Sequence, residues 1–423
     1  MLHMAFDQKT KAPIHLSAAF SRVVLICGKR GSGKSYSMGV IAEELARLER
    51  FLVILVDPMG VFWSMGLPVN GAKPPAVNIL VPGNPAERYS PRALARMQEL
   101  GVLFSRITLN PATLSAQAWC DLFGLSMSEP LGICLYRAVR ACQKKRGGDG
   151  ERGEQGAGKS EGTNPQSAIR NPQFSIRDLM REVETDGQAA DRTREALINR
   201  LDMAEQWGIF AEDGGLENSL KEDHINVLDL SIIDPGLHGL RNMLLALLCR
   251  DLFARRIRAR REEELGLIPL ERRIWLLIDE AHQFVPAGRS SIAKDVLIRW
   301  VKEGRQPGLS FVAVSQQPGA IDADLLSQCD LLIIHKLTSN EDLAAISRLG
   351  QSYIQGDLKV YLKRVREPGE VVIVDDREER LWMGRVRERR TRHGGSELPL
   401  SEQGSTGAGE PSVQGSRGAG VRR

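Results

Sequence analysis

RVVLICGKRGSGKSYSMGVIAEEL, residues 22–45, sets an apolar run, a glycine-rich turn and a helical pattern in immediate succession. The run RVVLIC (22–27) predicts a strand buried on both faces. Beyond the turn, Met38, Ile41, Leu45 and Leu48 recur at spacings of three and four and predict a helix over 35–48. Between them Gly28-Lys29-Arg30-Gly31-Ser32-Gly33-Lys34-Ser35 fits G-x-x-x-x-G-K-[ST]. Glycines there let backbone N–H groups converge on phosphate oxygens with no Cβ in the way. The helix that follows points its positive end at the same phosphates. Lys34 is expected to reach the β- and γ-phosphates and Ser35 to bind Mg²⁺. Gly28, Lys29, Arg30, Gly31, Ser32, Gly33, Lys34, Ser35 and Tyr36 are therefore the candidate nucleotide-binding residues, with ATP and Mg²⁺ as the expected cofactors. An ordinary strand–turn–helix corner is the bland alternative.

Working outward, FLVILV (51–56), INVLDL (225–230), IWLLI (274–278), LSFVAV (309–314) and LLIIH (331–335) are further apolar runs, with a long helix expected over 237–261. Such strands separated by helices predict an α/β fold with a mostly parallel sheet covered by helices on both faces. Residues 91–215 read as a mostly helical insertion. Within it, 144–173 is rich in Gly, Ser, Glu and Arg and is expected to be flexible, because it offers too little apolar surface to offset the entropy of ordering. The expected organisation is thus a first core part at 12–90, the insertion at 91–215, a second core part at 216–390 and a disordered tail at 391–423. Three β-like runs (KVYLKRV, EVVIVDD, RLWMGRV) in 359–386 suggest a C-terminal hairpin at a sheet edge.

The run IWLLI delivers Asp279 and Glu280 at its C-terminal end, where a parallel sheet faces its ligand crevice. Asp279 is expected to hold Mg²⁺ and Glu280 to orient and deprotonate the attacking water. An acidic helix N-terminus is the alternative reading. Ser315 and Gln316 close another strand, and an amide at Gln316 suits contact with the γ-phosphate or the water; a turn residue before Pro318 is the alternative. Arg305 and Arg22 are candidate charge-stabilising arginines, from the same chain or a neighbour, or else surface cations. Asp57 and Gly60 either line the crevice or form a turn. His282 has nothing at metal-ligand spacing. A second match to the phosphate-loop pattern, Gly153 to Ser160, has no strand before it or helix after it and reads as chance in a Gly-rich segment.

Composition bounds the rest. With 57 Lys+Arg against 53 Asp+Glu the net charge is +4, so nucleic-acid binding has to be argued from local sites. Six cysteines without a CxxC pair argue against a disulfide framework or a zinc site. No run approaches the roughly 20 apolar residues of a membrane helix, and the N-terminus lacks a signal-peptide pattern; a cytoplasmic protein with no membrane partner is expected. Arginines cluster at 255–261, beside Glu262–Glu264, and at 385–392. Arg289 and Lys294 follow the Asp-Glu strand, in a loop suited to a salt-sensitive phosphate contact.

Four segments together resemble the HerA–FtsK superfamily of P-loop ATPases, and its HerA-like branch most closely: GKRGSGKSYSMGVIAEEL (28–45), DPMG (57–60), WLLIDEAHQFVP (275–286) and KEGRQPGLSFVAVSQQPGAIDADLLSQCDLLIIHKLT (302–338). The resemblance covers roughly 12–386. It implies a RecA-like core, hexameric rings, ATP hydrolysis and movement of DNA through a central channel as a helicase or translocase. By that resemblance Lys34, Ser35, Asp279, Glu280 and Gln316 carry hydrolysis, Arg305 matches an active-site arginine and Arg22 a basic residue acting across the subunit interface. The family's helicases carry an N-terminal β-barrel used to engage the NurA nuclease. Here 27 residues precede Gly28, which points to a chain without that barrel and with some other nuclease or protein partner. The alternative function is an ATPase subunit of a defence or secretion complex acting on protein.

Overall fold

A computed structural model describes residues 1–69, 71, 73–148, 174–212, 214–215, 219–234, 238–349 and 355–394. Most of the expected flexible segment (149–173), with the second phosphate-loop match inside it, and the tail from 395 lie outside the described residues.

The strands are β1 (Leu2–Asp7), β2 (Pro13–Leu16), β3 (Val23–Cys27), β4 (Phe51–Asp57), β5 (Val77–Pro82), β6 (Val102–Ile107), β7 (Ile225–Asp229), β8 (Arg273–Ile278), β9 (Leu309–Ser315), β10 (Leu331–Ile334), β11 (Glu370–Asp375) and β12 (Arg380–Val386). The helices are α1 (Lys34–Ala46), α2 (Pro85–Arg88), α3 (Pro91–Glu99), α4 (Ala116–Phe123), α5 (Pro130–Gly148), α6 (Ile176–Glu184), α7 (Asp191–Gln206), α8 (His238–Glu264), α9 (Ile292–Glu303), α10 (Ala323–Leu326), α11 (Asn340–Leu349) and α12 (Gln355–Leu362).

All strands join one sheet in the order β2-β1-β12-β11-β10-β3-β9-β8-β4-β7-β5-β6. From β10 to β6 every pairing is parallel. From β10 outward through β11, β12, β1 and β2 every pairing is antiparallel. Taking β3, β4, β8, β9 and β10 as strands 1 to 5, the centre of the sheet reads 5-1-4-3-2. Strand β9 therefore separates the phosphate-loop strand β3 from the carboxylate strand β8. Strand residues alternate between two cores: Leu25 and Cys27 of β3 face one, Val24 and Ile26 the other. Both cores are closed by helices, α1 on one side and α8 and α9 on the other. This is the doubly covered sheet that continuous apolar strands require. No helix among the described residues is long and apolar enough to cross a membrane.

Several expectations change. The mostly helical stretch 91–215 is not a pure insertion into the sheet: β6 lies inside it and extends the sheet beyond β5. Residues 144–148 complete α5, so order continues into the segment expected to be flexible. The run at 359–365 begins within helix α12; only the later two runs make the hairpin, β11–β12. That hairpin is interior, because the N-terminal pair β1–β2 adds to β12 and takes the edge. Thr391 is buried rather than the start of a loose tail: its N–H and Oγ1 both donate to Glu43 Oε1, at 3.0 and 2.7 Å. The basic run at 385–392 is likewise part of the fold. Arg387 Nη2 lies 2.9 Å from carboxylate oxygens of both Glu43 and Glu44 of α1, and Arg387 and Arg389 are buried.

Candidate active site

The phosphate loop closes the C-terminal end of β3 and opens α1. Gly33 caps the helix at φ 104°, a backbone region that favours glycine. Gly28 is fixed by space: a Cβ there would sit 2.6 Å from His335 Cβ and 2.7 Å from Ser32 Oγ. The end of β10 and the start of β11 clasp the loop, with Lys29 N–H donating to Lys336 O at 2.8 Å and Gly369 N–H donating to Ser32 O at 3.1 Å. His335 is fully buried, with Nε2 2.9 Å from Ser37 Oγ in the first turn of α1. Its imidazole is pushed down to about 3 by burial and by the neighbouring Lys34 ammonium, so it stays neutral.

Lys34 Nζ donates to Lys29 O at 2.9 Å, folded against its own loop. Burial lowers its pKa, and the Glu280 and Asp279 carboxylates oppose that shift. Ser35 Oγ donates to Asp279 Oδ2 at 3.0 Å. The other oxygen of Asp279 accepts the N–H of Glu280 at 3.0 Å. Burial, and then Glu280 beside it, raises Asp279 to about 6. A serine hydroxyl and a buried carboxylate in contact are hard oxygen donors of the kind Mg²⁺ takes, with substrate phosphates and waters completing the shell. Among the described residues no group of three or more His, Cys, Asp or Glu could hold a metal ion by itself, so such an ion would depend on the nucleotide.

Glu280 is buried and lies in the left-handed region, φ 48° and ψ 47°. That conformation costs a non-glycine residue of order 1 kcal/mol or more and recurs at functional sites. Its Oε1 accepts from Gln316 Nε2. The order β3-β9-β8 explains this contact, because the residue leaving β9 emerges between loop and carboxylates. Lys34, Ser35, Asp279, Glu280 and Gln316, read from three distant segments, thus converge.

The two arginines do not join them. Arg22 precedes β3, roughly 17 Å of strand from the loop at about 3.3 Å per residue. It is buried in a bidentate pair with Asp375, both contacts 2.9 Å. This buried pair ties the start of β3 to β11 and keeps Arg22 away from the phosphate loop of its own chain. Arg305 lies ahead of β9, also at the start of the strands, and is exposed, its carbonyl accepting from Ser21 Oγ at 3.3 Å. Lys294 is engaged, with Nζ 2.6 Å from Asp322 Oδ2 and donating to Pro286 O and Arg289 O at 3.1 and 2.9 Å, while Arg289 stays exposed. Arg256 and Arg260 pair with Glu263 at the end of α8.

Asp57 does form the turn after β4. Its carboxylate accepts the N–H groups of Met59, Gly60 and Phe62 at 3.2, 2.7 and 2.7 Å. Burial, with Asp229 and Asp279 nearby, raises it to about 7. The sequence reading missed His335 and Asp229, the latter bonded by Tyr89 OH and by Ser231 Oγ. Each is a polar residue closing an apolar strand, the same signal that marked Asp57 and Asp279.

The chain spans a little over half the length of two curated relatives it matches. It is 26% identical over 330 residues to the DNA double-strand break repair helicase HerA of Sulfolobus acidocaldarius, covering 76% of this chain and 56% of that one. It is 25% identical over 352 residues to the protein of that name from Pyrococcus furiosus, covering 76% and 57%. In fold it is similar to VirB4 of Thermoanaerobacter pseudethanolicus, with TM-score 0.59, 16% identity and coverage of 92% of this chain and 96% of that one. The family model described as "Helicase HerA, central domain" matches residues 3–251, from β1 into α8. That is more than half of the chain, and on this ground the protein belongs to the HerA helicase family.

Proposed function

We propose that this chain is a Mg²⁺-dependent ATPase that works as a cytoplasmic ring, a hexamer by family resemblance, and couples hydrolysis to movement along or unwinding of DNA. The observation that carries the reading is the contact between Ser35 and Asp279, which joins the phosphate loop to the carboxylate strand beside Lys34 and Glu280. In this reading the N–H groups of the loop from Gly28 to Tyr36 and the ammonium of Lys34 bind the phosphates. Ser35 and Asp279 hold Mg²⁺, which when bound supplies positive charge to the transferring phosphoryl group. Glu280 takes the proton of the attacking water, and Gln316 orients Glu280. The exposed Arg305, remote from its own phosphate loop, serves a neighbouring subunit's nucleotide. Curated relatives named as DNA double-strand break repair helicases support DNA as the load.

The test is ATP turnover with and without duplex DNA, on material whose mass in solution has been measured. Turnover is expected to rise several-fold with DNA and the rise to fade with salt, because phosphate contacts release counterions. Turnover that ignores DNA at low salt and answers to a partner protein would replace this reading with that of a protein-acting ATPase subunit.

A further inference from the structure

The two oxygens of the Glu280 carboxylate face different neighbours, Gln316 after β9 and His282 after β8. Oε1 accepts from Gln316. Oε2 is buried, makes no hydrogen bond, and faces His282 Nδ1 at 3.4 Å. The same Nδ1 lies 3.2 Å from Ser315 Oγ, which also accepts the N–H of Gln317 at 3.0 Å. A carboxylate can only accept, so charge complementarity puts the imidazole hydrogen on Nδ1, bonded to Ser315 and facing the carboxylate. Behind this contact the segments after β8 and β9 are joined. Ala287 N–H donates to Ala320 O at 2.8 Å and Asp322 N–H donates to Val285 O at 3.0 Å. Lys294 closes the pair onto Asp322. The two segments form one body, with Arg289 exposed at its tip and His282 set against the oxygen of Glu280 that Gln316 leaves free.

We propose that His282 is a positioning residue for Glu280: with Gln316 it fixes the carboxylate from two sides and ties it to the joined segments after β8 and β9. The inference rests on the ATPase reading above and deepens it. A load pressing on the Arg289 tip then shifts the water-activating carboxylate through a contiguous chain of packed and bonded groups, the physical requirement for coupling. The left-handed backbone of Glu280 makes such help necessary, since a strained residue keeps its geometry only when its neighbours over-determine it.

The test uses the full chain, with steady-state ATP hydrolysis and equilibrium binding of a fluorescent ATP analogue. His282→Leu is expected to lower kcat about tenfold or more, the order of loss when a group that orients an active residue is removed. KM and analogue affinity should stay within about twofold, since substrate binding is untouched. His282→Asn keeps a donor at the Nδ1 position and should recover kcat to within about threefold of wild type; His282→Gln carries its amide further out and should resemble the leucine variant. Unchanged kcat in His282→Leu, or equal impairment of the asparagine and glutamine variants, overturns the proposal while leaving the ATPase reading intact. Should the leucine variant fail to fold, the asparagine–glutamine comparison decides by itself. A wild-type chain that does not hydrolyse ATP overturns both.

Discussion

Glu280 and Gly28 show how far single residues are constrained here. Glu280 reaches its place at the cost of a left-handed backbone, and its carboxylate is held by Gln316. Glu280→Gln keeps the side-chain shape and an acceptor for Gln316 but cannot take a proton from water. It is expected to bind nucleotide as wild type does and to lose multiple turnover by about 10²–10⁴-fold, the range for a general base; unchanged turnover would remove Glu280 from that role. Gly28 is limited by contact with His335, not by phosphate alone. Gly28→Ala drives a methyl to within 2.6 Å of His335 Cβ, and neither backbone is free to retreat, because Lys29 N–H is bonded to Lys336 O. Its affinity for a fluorescent ATP analogue should fall about tenfold or more, as overpacking commonly costs 1–3 kcal/mol. Wild-type affinity in this variant would mean that the loop relaxes around the methyl.

Helix α1 carries a second constraint at the level of elements. Residues 387–391 run along it as a strap. Glu43, buried in the helix, accepts the N–H groups of Arg390 and Thr391 and the Thr391 hydroxyl, and pairs with Arg387. Gly39 makes the space: a Cβ there would lie 2.5 Å from the Arg389 guanidinium carbon. Glu43→Ala leaves the N–H groups of Arg390 and Thr391 without their acceptor and strips Arg387 of one of its two carboxylate partners. It should destabilise the fold by about 3 kcal/mol or more, the typical cost of breaking a buried pair from one side, read as a lower midpoint in denaturant; an unchanged midpoint would show that the strap does not brace α1. Helix α1 was legible because its apolar residues keep helical spacing. The strap was not: an arginine run before a Gly-rich end has the composition of a solvated tail, and only the buried carboxylates of another element draw it in. Strands β5 and β6 were hidden for a related reason. VNILVP and VLFSRI are short, and β6 carries Ser105 and Arg106, so local pattern without sheet neighbours does not separate them from the helices around them. In the run at 359–365 the alternation resembled a strand, yet α12 ends at Leu362 within it.

The whole molecule places five chemically distinct residues together through one topological fact, the insertion of β9 between β3 and β8. The strand ends that carry the candidate site were readable one by one; their convergence followed only from the family resemblance, because strand order is fixed by contacts far apart in the chain. The same convergence buries titratable groups, so folding itself should depend on pH. His335 is lowered from 6.5 to about 3. Between those values the unfolded chain takes up a proton at this residue and the native state does not, so its contribution to stability is full above 6.5 and is lost as pH falls toward 3. Asp57 and Asp279 act in the opposite direction: raised to about 7 and about 6, they hold protons in the native state that the unfolded chain releases, so their contribution is lost as pH rises. The wild-type curve alone therefore cannot isolate the histidine, whereas its difference from His335→Asn can. The variant is expected to be less stable than wild type at pH 7, since it loses packing against the phosphate loop. That deficit should shrink by about 3 kcal/mol on going to pH 4, from roughly 1.4 kcal/mol per pH unit over the interval below 6.5. Denaturant unfolding of both proteins across this range measures it. A constant deficit would mean that His335 takes up its proton in the native state as readily as in the unfolded chain, and that the phosphate loop is not closed over a neutral ring.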